Sequence, residues 1–383
     1  MESYIKRTAE QTLLRYLKAF PVTGLTGPRQ SGKTTMLKSI LKDSYRYVSF
    51  DSPVKVAEFR DDPERFMRIY HDKVIFDEAQ KVPEIFSYVK IAVDNDRENY
   101  GKFILTGSSQ FMLLKNISES LAGRIGLLSL LPLQFSEVPH ELREQSVFKG
   151  AFPEMVKRNY LFNSEWYQSY IDTYIEKDVR SISNIGNIRD FYRLIQLLAA
   201  RCSQLINFSQ LANDLGVTVN TVKSWISVLE ASYIIFLVGP FYENQGKRII
   251  KSPKIYFYDT GLVSYLTGIE TAAQFENSTM SGPLFENYVI SEVKKIAEHN
   301  KTFSELYFLR TSNGAEVDLI IDRRSAKEWI EIKRGETFTL KMISHIYKFK
   351  RPEEAGYLIY RGVSMPYADN IKILNYKEFL ECD

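Results

Sequence analysis

Gly27-Pro-Arg-Gln-Ser-Gly-Lys-Thr34 constrains this chain more than any other stretch. It fits Gly-x-x-x-x-Gly-Lys-Ser/Thr, with an apolar run, Phe20 to Leu25, before it and an amphipathic segment, Thr34 to Leu41, after it. A strand, a glycine-rich turn and a helix in that order wrap backbone N–H groups and a helix N-terminus around phosphates. Gly27 and Gly32 permit the tight backbone, Lys33 reaches the β- and γ-phosphates, and the Thr34 hydroxyl is placed for Mg²⁺. Pro28, Arg29, Gln30, Ser31 and Thr35 complete the expected nucleotide-binding set, with Arg29 facing solvent or the phosphates. The expected ligands are ATP and Mg²⁺.

Further along, Lys73-Val-Ile-Phe-Asp-Glu-Ala-Gln80 reads as a buried strand ending in an acidic pair. Asp77 is expected to hold Mg²⁺ through water and Glu78 to polarise the attacking water. A further strand, Lys102-Phe-Ile-Leu-Thr-Gly-Ser-Ser109, puts a polar end beside that pair. Ser108 is the first candidate there for sensing the γ-phosphate. With Tyr45 to Asp51 as another strand, the region alternates strand and helix as a doubly wound α/β fold does.

A chain of 383 residues exceeds one ordinary core, so two or three domains are expected. Hydrophobic content of 44% and charged content of 25% place it among globular proteins rather than disordered ones. A net charge of +3 confines any nucleic-acid surface to a local patch. Cys202 and Cys382 lie far apart and the four histidines are scattered, which argues for reduced thiols in a cytoplasmic protein and against a structural zinc site. The first residues lack the apolar core of a signal peptide, and the longest apolar run, near Tyr233 to Val238, is too short for a membrane span. No membrane partner is expected.

Gly27 to Thr34, Val74 to Gln80, Leu105-Thr-Gly-Ser-Ser109 and Ser120-Leu-Ala-Gly-Arg124 together resemble the AAA-type (AAA+) ATPases of bacteria and archaea. The resemblance is to the branch related to origin-recognition and STAND-type ATPases that carries a conserved C-terminal domain. It implies that Arg124 lies near the nucleotide, as a γ-phosphate or finger arginine acting in cis or from a neighbouring subunit of a homo-oligomer. A solvated cation at a helix end is the competing reading. Gly150-Ala-Phe-Pro-Glu154 resembles the family's Gly-Gly-x-Pro turn closing the ATPase core, with Ala151 in place of the second glycine.

From Phe162 to Leu198 the spacing is helical, and the charged stretch Tyr174 to Arg180 reads as a solvated face or a lid. Asn207 to Leu229 then reads as a helix-turn-helix: Ser209 caps a short helix, Gly216 makes the turn and Thr218 caps the second helix. The strand Tyr233 to Val238 and basic Lys247-Arg248 would form a wing. Asn220, Thr221, Lys223 and Ser224 are the candidate DNA contacts. Only one of the four is cationic, so a protein-binding or packing role for the winged helix stands beside the DNA role.

The last hundred residues offer Glu316-Val-Asp-Leu-Ile-Ile-Asp322 and Glu328-Trp-Ile-Glu-Ile-Lys333 as strands. Asp318 followed by Glu331-Ile-Lys333 is the spacing of PD-(D/E)xK nucleases. Glu331 and Lys333 alternate onto one strand face, where Asp318 from the neighbouring strand meets them. Two carboxylates would then hold Mg²⁺ and the lysine would orient a water. Glu286, on the preceding helix, resembles the acidic residue that completes such sites.

The expected architecture is an α/β P-loop AAA+ core over 1–150, a helical lid or linker over 151–205, a winged helix over 206–275 and a restriction-endonuclease-like α/β domain over 281–383. The expected function is an ATPase whose nucleotide state controls a DNA-associated, nuclease-like module. The alternative is a nucleotide-switched protein-interaction module whose nuclease fold does not cut. A small-molecule kinase is disfavoured, because no acceptor-binding domain is evident.

Overall fold

The computed structural model describes residues 4–107, 116–117, 119–174, 188–241, 252–367 and 370–381, with the Tyr174 side chain left aside. They form two compact units. One comprises Met1–Leu133 with Ala231–Tyr233 and Glu298–Lys301; the other comprises Gln134–Glu230, Ile234–Ala297 and Thr302–Asp383.

The first unit is built on a parallel five-stranded sheet. After helix α1 (Ala9–Ala19) come β1 (Val22–Thr26), α2 (Lys33–Leu41), β2 (Arg46–Ser49), β3 (Val74–Asp77), α3 (Ile85–Asp94), β4 (Phe103–Thr106) and β5 (Ile125–Ser129). The strand order is β2-β3-β4-β1-β5, and every pairing is parallel. Strands β1, β3 and β4 are buried along their whole length, as a sheet covered on both faces requires. Phe50, Phe59, Phe66 and Phe76 meet in stacked and edge-on pairs on one face. Leu25, Met36, Leu37, Ile75 and Ile104 fill the other. Because β4 intervenes between β1 and β3, the C-terminal ends of three strands, Thr26, Thr106 and Asp77, line up on one edge.

The second unit carries an eight-stranded mixed sheet. Helices α4 (Phe208–Leu215) and α5 (Val219–Ala231) precede β6 (Ile235–Pro240) and β7 (Lys254–Phe257), and α6 (Ser281–Asn300) leads to β8 (Glu305–Arg310), β9 (Glu316–Asp322) and β10 (Lys327–Lys333). Strands β11 (Ala355–Tyr360), β12 (Met365–Pro366) and β13 (Ile371–Asn375) complete it, in the order β12-β13-β11-β10-β9-β8-β6-β7. Strand β6 pairs with β7 antiparallel and with β8 parallel, so the segments expected at 206–275 and 281–383 share one sheet. Trp329, Val317, Ile320, Leu358 and Ile373 form its core, and the Trp329 indole donates to Glu354 at 2.7 Å. Among the described residues no helix is long and apolar enough to cross a membrane.

Candidate functional site: a phosphate loop facing an acidic strand end

The loop after β1 has a backbone only glycine can adopt at its start. Gly27 sits at φ +137°, and a Cβ there would collide with the Leu130 carbonyl oxygen. Gly32, at φ +93°, turns the chain into α2, whose first residue is Lys33. The Lys33 side chain is buried and its Nζ donates to the carbonyls of Gly27 and Pro28, both at 2.8 Å, so the ammonium spans the loop. Pro28 is buried, Arg29 half-buried, and Gln30 and Thr35 are exposed. The Ser31 hydroxyl is fully buried with no hydrogen-bond partner among the described residues. A buried hydroxyl left unpaired is costly, so a ligand with acceptor oxygens fits this loop.

Across the sheet edge, Asp77 closes β3 and is buried. Its Oδ2 accepts from the Tyr47 hydroxyl and lies 3.5 Å from the Thr34 Oγ1. Burial and this carboxylate push the Tyr47 hydroxyl well above the ordinary tyrosine range, so Tyr47 stays a donor. Glu78 follows in the left-handed region at φ +54°, a strained conformation of the kind found at functional sites. The Gln80 amide donates to the Glu78 carboxylate. A Cβ on Gly107 would collide with Gln80 Oε1, so the Gln80 amide packs closely against Gly107, the residue after β4. The Thr106 hydroxyl, also at this edge, is fully buried and without a partner among the described residues. Ser108 lies outside the described residues. Thr34 and Asp77 offer the hard oxygens that Mg²⁺ takes while retaining most of its waters, so the donor set fits the cation.

Arg124 is placed otherwise than expected for action in cis. It precedes β5, its carbonyl accepts from the N–H of Val22, and Val22 pairs with Ile125 at the start of both strands. That is the opposite edge of the sheet from Gly27, roughly 15 Å away at about 3.3 Å per residue. Its guanidinium forks onto the Asp94 carboxylate at 2.7 and 3.0 Å. Parallel pairing of β1 with β5 makes this unavoidable, since residues before one strand lie beside residues before the other. This placement leaves two readings for Arg124: a structural cation paired with Asp94, or a role toward a neighbouring subunit.

In the second unit the sheet does bring Asp318, Glu331 and Lys333 together. Lys333 Nζ lies 2.9 Å from Asp318 and 2.7 Å from Glu331, and the Ile332 N–H donates to Asp318 at 2.8 Å. A pocket of about 400 Å³ opens over the three, bordered by Glu316, Thr339, Lys341 and His345. Glu286 is held by Lys254 at 3.0 Å and by the Tyr256 hydroxyl at 2.8 Å, and Lys254 also pairs with Glu316. Burial and the neighbouring Asp318 charge raise the Glu331 carboxyl, whereas Lys333 and Lys254 outweigh burial and hold Asp318 below the usual range. Each carboxylate thus already has an ammonium partner. Among the described residues no three acidic, histidine or cysteine side chains are grouped to hold a metal ion. Lys333 stands between Asp318 and Glu331, the two carboxylates expected to hold Mg²⁺, and pairs with both.

Lys254 is only 2% exposed. Replacing it with Met should leave Glu286 and Glu316 without their buried cation and destabilise the chain by about 3–5 kcal/mol. Chemical denaturation of the full chain checks this, and a change below about 1 kcal/mol would contradict the ion-pair reading.

The helix pair α4–α5 forms as read, with one change at its start. Asn207, not Ser209, caps α4, its side chain accepting from the Gln210 N–H at 3.0 Å; Ser209 lies inside the helix. Gly216 ends α4 at φ +70°, and Thr218 accepts from the Thr221 N–H at 3.1 Å at the start of α5. Leu211, Ala212, Val222, Ile226 and Leu229 are buried and Val217 is half-buried. Asn220, Lys223 and Ser224 are exposed on α5, with Thr221 partly so. Lys247 and Arg248, expected in a wing, lie outside the described residues, as do Ile175 to Arg180 of the expected lid and Cys382. Gly150 and Ala151 belong to the second unit, where the Asp259 carboxylate accepts from the Ala151 N–H at 2.7 Å.

Three participants escaped the sequence reading: Tyr47 on Asp77, Gln80 on Glu78, and Lys254 among the C-terminal carboxylates. Lys254 did leave a signal, a lone lysine heading the apolar run Ile-Tyr-Phe, since a buried lysine is rarely unpaired. Nothing local marks Tyr47, whose partner is 30 residues away.

The sheet, the phosphate loop and the acidic strand end define a P-loop nucleotide-binding protein of the AAA type, and residues 19–139 match the family model described as an AAA domain. The chain belongs to the family of the "Uncharacterized protein Rv2008c" of Mycobacterium tuberculosis, to which it is 30% identical over 335 residues, 87% of this chain and 74% of that protein. It is also similar to the "Uncharacterized protein MJ1544" of Methanocaldococcus jannaschii, at 25% identity over 80% of this chain and 73% of that one. Residues 140–273 and 281–379 match two domains of unknown function, DUF8612 and DUF4143. Among solved structures, the Walker-type ATPase PABY2304 of Pyrococcus abyssi aligns at 16% identity and a TM-score of 0.48, covering 69% of this chain and 96% of that one.

Proposed function

We propose that this protein is a Mg²⁺-dependent ATPase. The observation that carries the reading is the convergence of Thr34, Asp77 and Glu78 at the mouth of a loop whose Lys33 bridges two of its own carbonyls. Lys33 and the loop hold the β- and γ-phosphates, and Thr34 and Asp77 hold the cation, which when bound neutralises charge developing on the phosphates. Tyr47 keeps the Asp77 carboxylate aimed, and Gln80 does the same for Glu78. Glu78 orients the attacking water and accepts its proton. Phosphate release by the full chain with ATP and Mg²⁺ tests the reading, and its absence at every ATP concentration would remove it.

We further infer that the nucleotide state controls a DNA-associated module made of the helix pair and the nuclease-like sheet. The segments 206–275 and 281–383 work as one body in this reading because they share that sheet. Support comes from the exposed row Asn220, Lys223 and Ser224 on α5. With one cation there, DNA retention should be weak and fall off only shallowly with salt. Lys333 and Lys254 neutralise the carboxylates, so no nicking of plasmid DNA is expected with Mg²⁺ or Mn²⁺. Nicking that disappears in both Asp318→Ala and Lys333→Ala would restore the nuclease. No retention of DNA at low salt would leave the protein-interaction reading. A finger role for Arg124 requires a homo-oligomer, readable as a change of mass in solution with ATP.

A further inference from the structure

Thr26 is the last residue of β1, and the phosphate loop begins at the next position. Its hydroxyl is buried and lies 2.8 Å from the hydroxyl of Tyr233, which is itself 3.0 Å from Ser129 Oγ at the end of β5. Tyr233 is more than two hundred residues away in sequence, yet it belongs with Ala231 to the first unit. Its backbone is in the left-handed region at φ +57°, which a bulky aromatic residue adopts only where the surroundings impose it.

A second tether lies two residues further along. The Leu131 N–H donates to Nε2 of His299, in the first unit's Glu298–Lys301 segment, at 3.1 Å. Arg7, 3% exposed, ties the same stretch to the loop: its guanidinium donates to the carbonyls of Ser31 at 2.8 Å and Leu131 at 2.7 Å. Residues at both ends of the phosphate loop, Thr26 and Ser31, are thus bonded through Ser129 to Leu131 with Tyr233 and His299. Covalent continuity does the rest. Tyr233 follows the last residue of α5 by two positions and precedes β6 by two, and His299 is in the final turn of α6.

We propose that Tyr233 links the base of the phosphate loop to α5 and β6, so that occupancy of the loop is communicated to those two elements. The physical route is short: the Tyr233 hydroxyl bonds a side chain one residue from Gly27, and any shift at Thr26 changes that bond. Tyr233 sits on a three-residue connector, so its displacement passes into both flanking elements without an intervening flexible loop. His299 offers a parallel route into α6. This rests on the ATP-binding reading above.

The test uses the full chain and a non-hydrolysable ATP analogue with Mg²⁺. Binding is followed by fluorescence titration, and hydrogen exchange is measured on peptides covering 219–240. Wild type is expected to bind the analogue and to change its exchange rate over 219–240 by roughly 5-fold or more, the range of ordinary coupling between sites. Tyr233→Phe should bind the analogue within about 3-fold of wild type and lose that response. A merely structural role would shift exchange equally with and without nucleotide. Where Tyr233→Phe does not fold, Thr26→Val removes the same hydrogen bond from the other side. Retention of the response in the variant that folds overturns the proposal, as does a wild type that binds the analogue with unchanged exchange. No binding by wild type would instead overturn the nucleotide reading itself.

Discussion

Glu78→Gln should bind ATP as tightly as the parent chain and hydrolyse it about 10²–10⁴-fold more slowly, the usual worth of a positioned general base. The exchange is isosteric and keeps the hydrogen-bonding side chain beside Gln80, so neither the left-handed turn nor the end of β4 is disturbed. What is lost is the negative oxygen that accepts a proton from water. Glu78 is well placed for that task, because Asp77 beside it is already engaged by Tyr47 and Thr34. Steady-state phosphate release together with a direct binding titration separates the two effects. Equal turnover in wild type and variant would refute the assignment of Glu78 and move the search for the base elsewhere on the sheet edge.

Lys33→Ala should lose ATP affinity by roughly 30- to 5000-fold, corresponding to about 2–5 kcal/mol for truncating one partner of a buried charged contact. The ammonium is bonded to the Gly27 and Pro28 carbonyls, so it braces the loop as well as offering charge to a phosphate. Removing it takes away both the charge and the brace. Ligand-linked stability is the clean readout. At 100 times the wild-type dissociation constant, ATP should stabilise wild type by about 2.7 kcal/mol and the variant by about 0.9 kcal/mol or less. A variant that is stabilised as much as wild type would show that the loop does not use Lys33 for phosphate.

Lys33 was legible because the phosphate loop is local. Its glycines, lysine and threonine act within eight consecutive positions, and a strand before with a helix after is all the context they need. The acidic pair was legible for a similar reason, since a buried strand that ends in Asp77-Glu78 has one polar edge to offer. Arg124 was a different matter. Proximity of a Leu-Ala-Gly-Arg segment to the nucleotide cannot be read without strand direction, and the parallel register of β1 with β5 sends Arg124 to the far edge and onto Asp94. The C-terminal trio was also correctly brought together by strand alternation. What alternation did not show was Lys254, arriving from β7, which pairs with Glu286 and Glu316 beside the trio.

Local pattern was enough to read a P-loop fold and to point to Lys33, Thr34, Asp77 and Glu78, because each feature depends on residues close along the chain and on strand or helix periodicity. What surrounds them came from the folded chain. Strand order placed Asp77 across β4 from the loop, Tyr47 and Gln80 aimed the carboxylates, and Arg7, Tyr233 and His299 were brought to the loop's base. The contacts made by Arg7 and Tyr233 join residues from 24 to more than 200 positions apart. No local pattern encodes them, since hydrogen-bond partners at such separations are chosen by how the sheet is ordered and which strands run side by side.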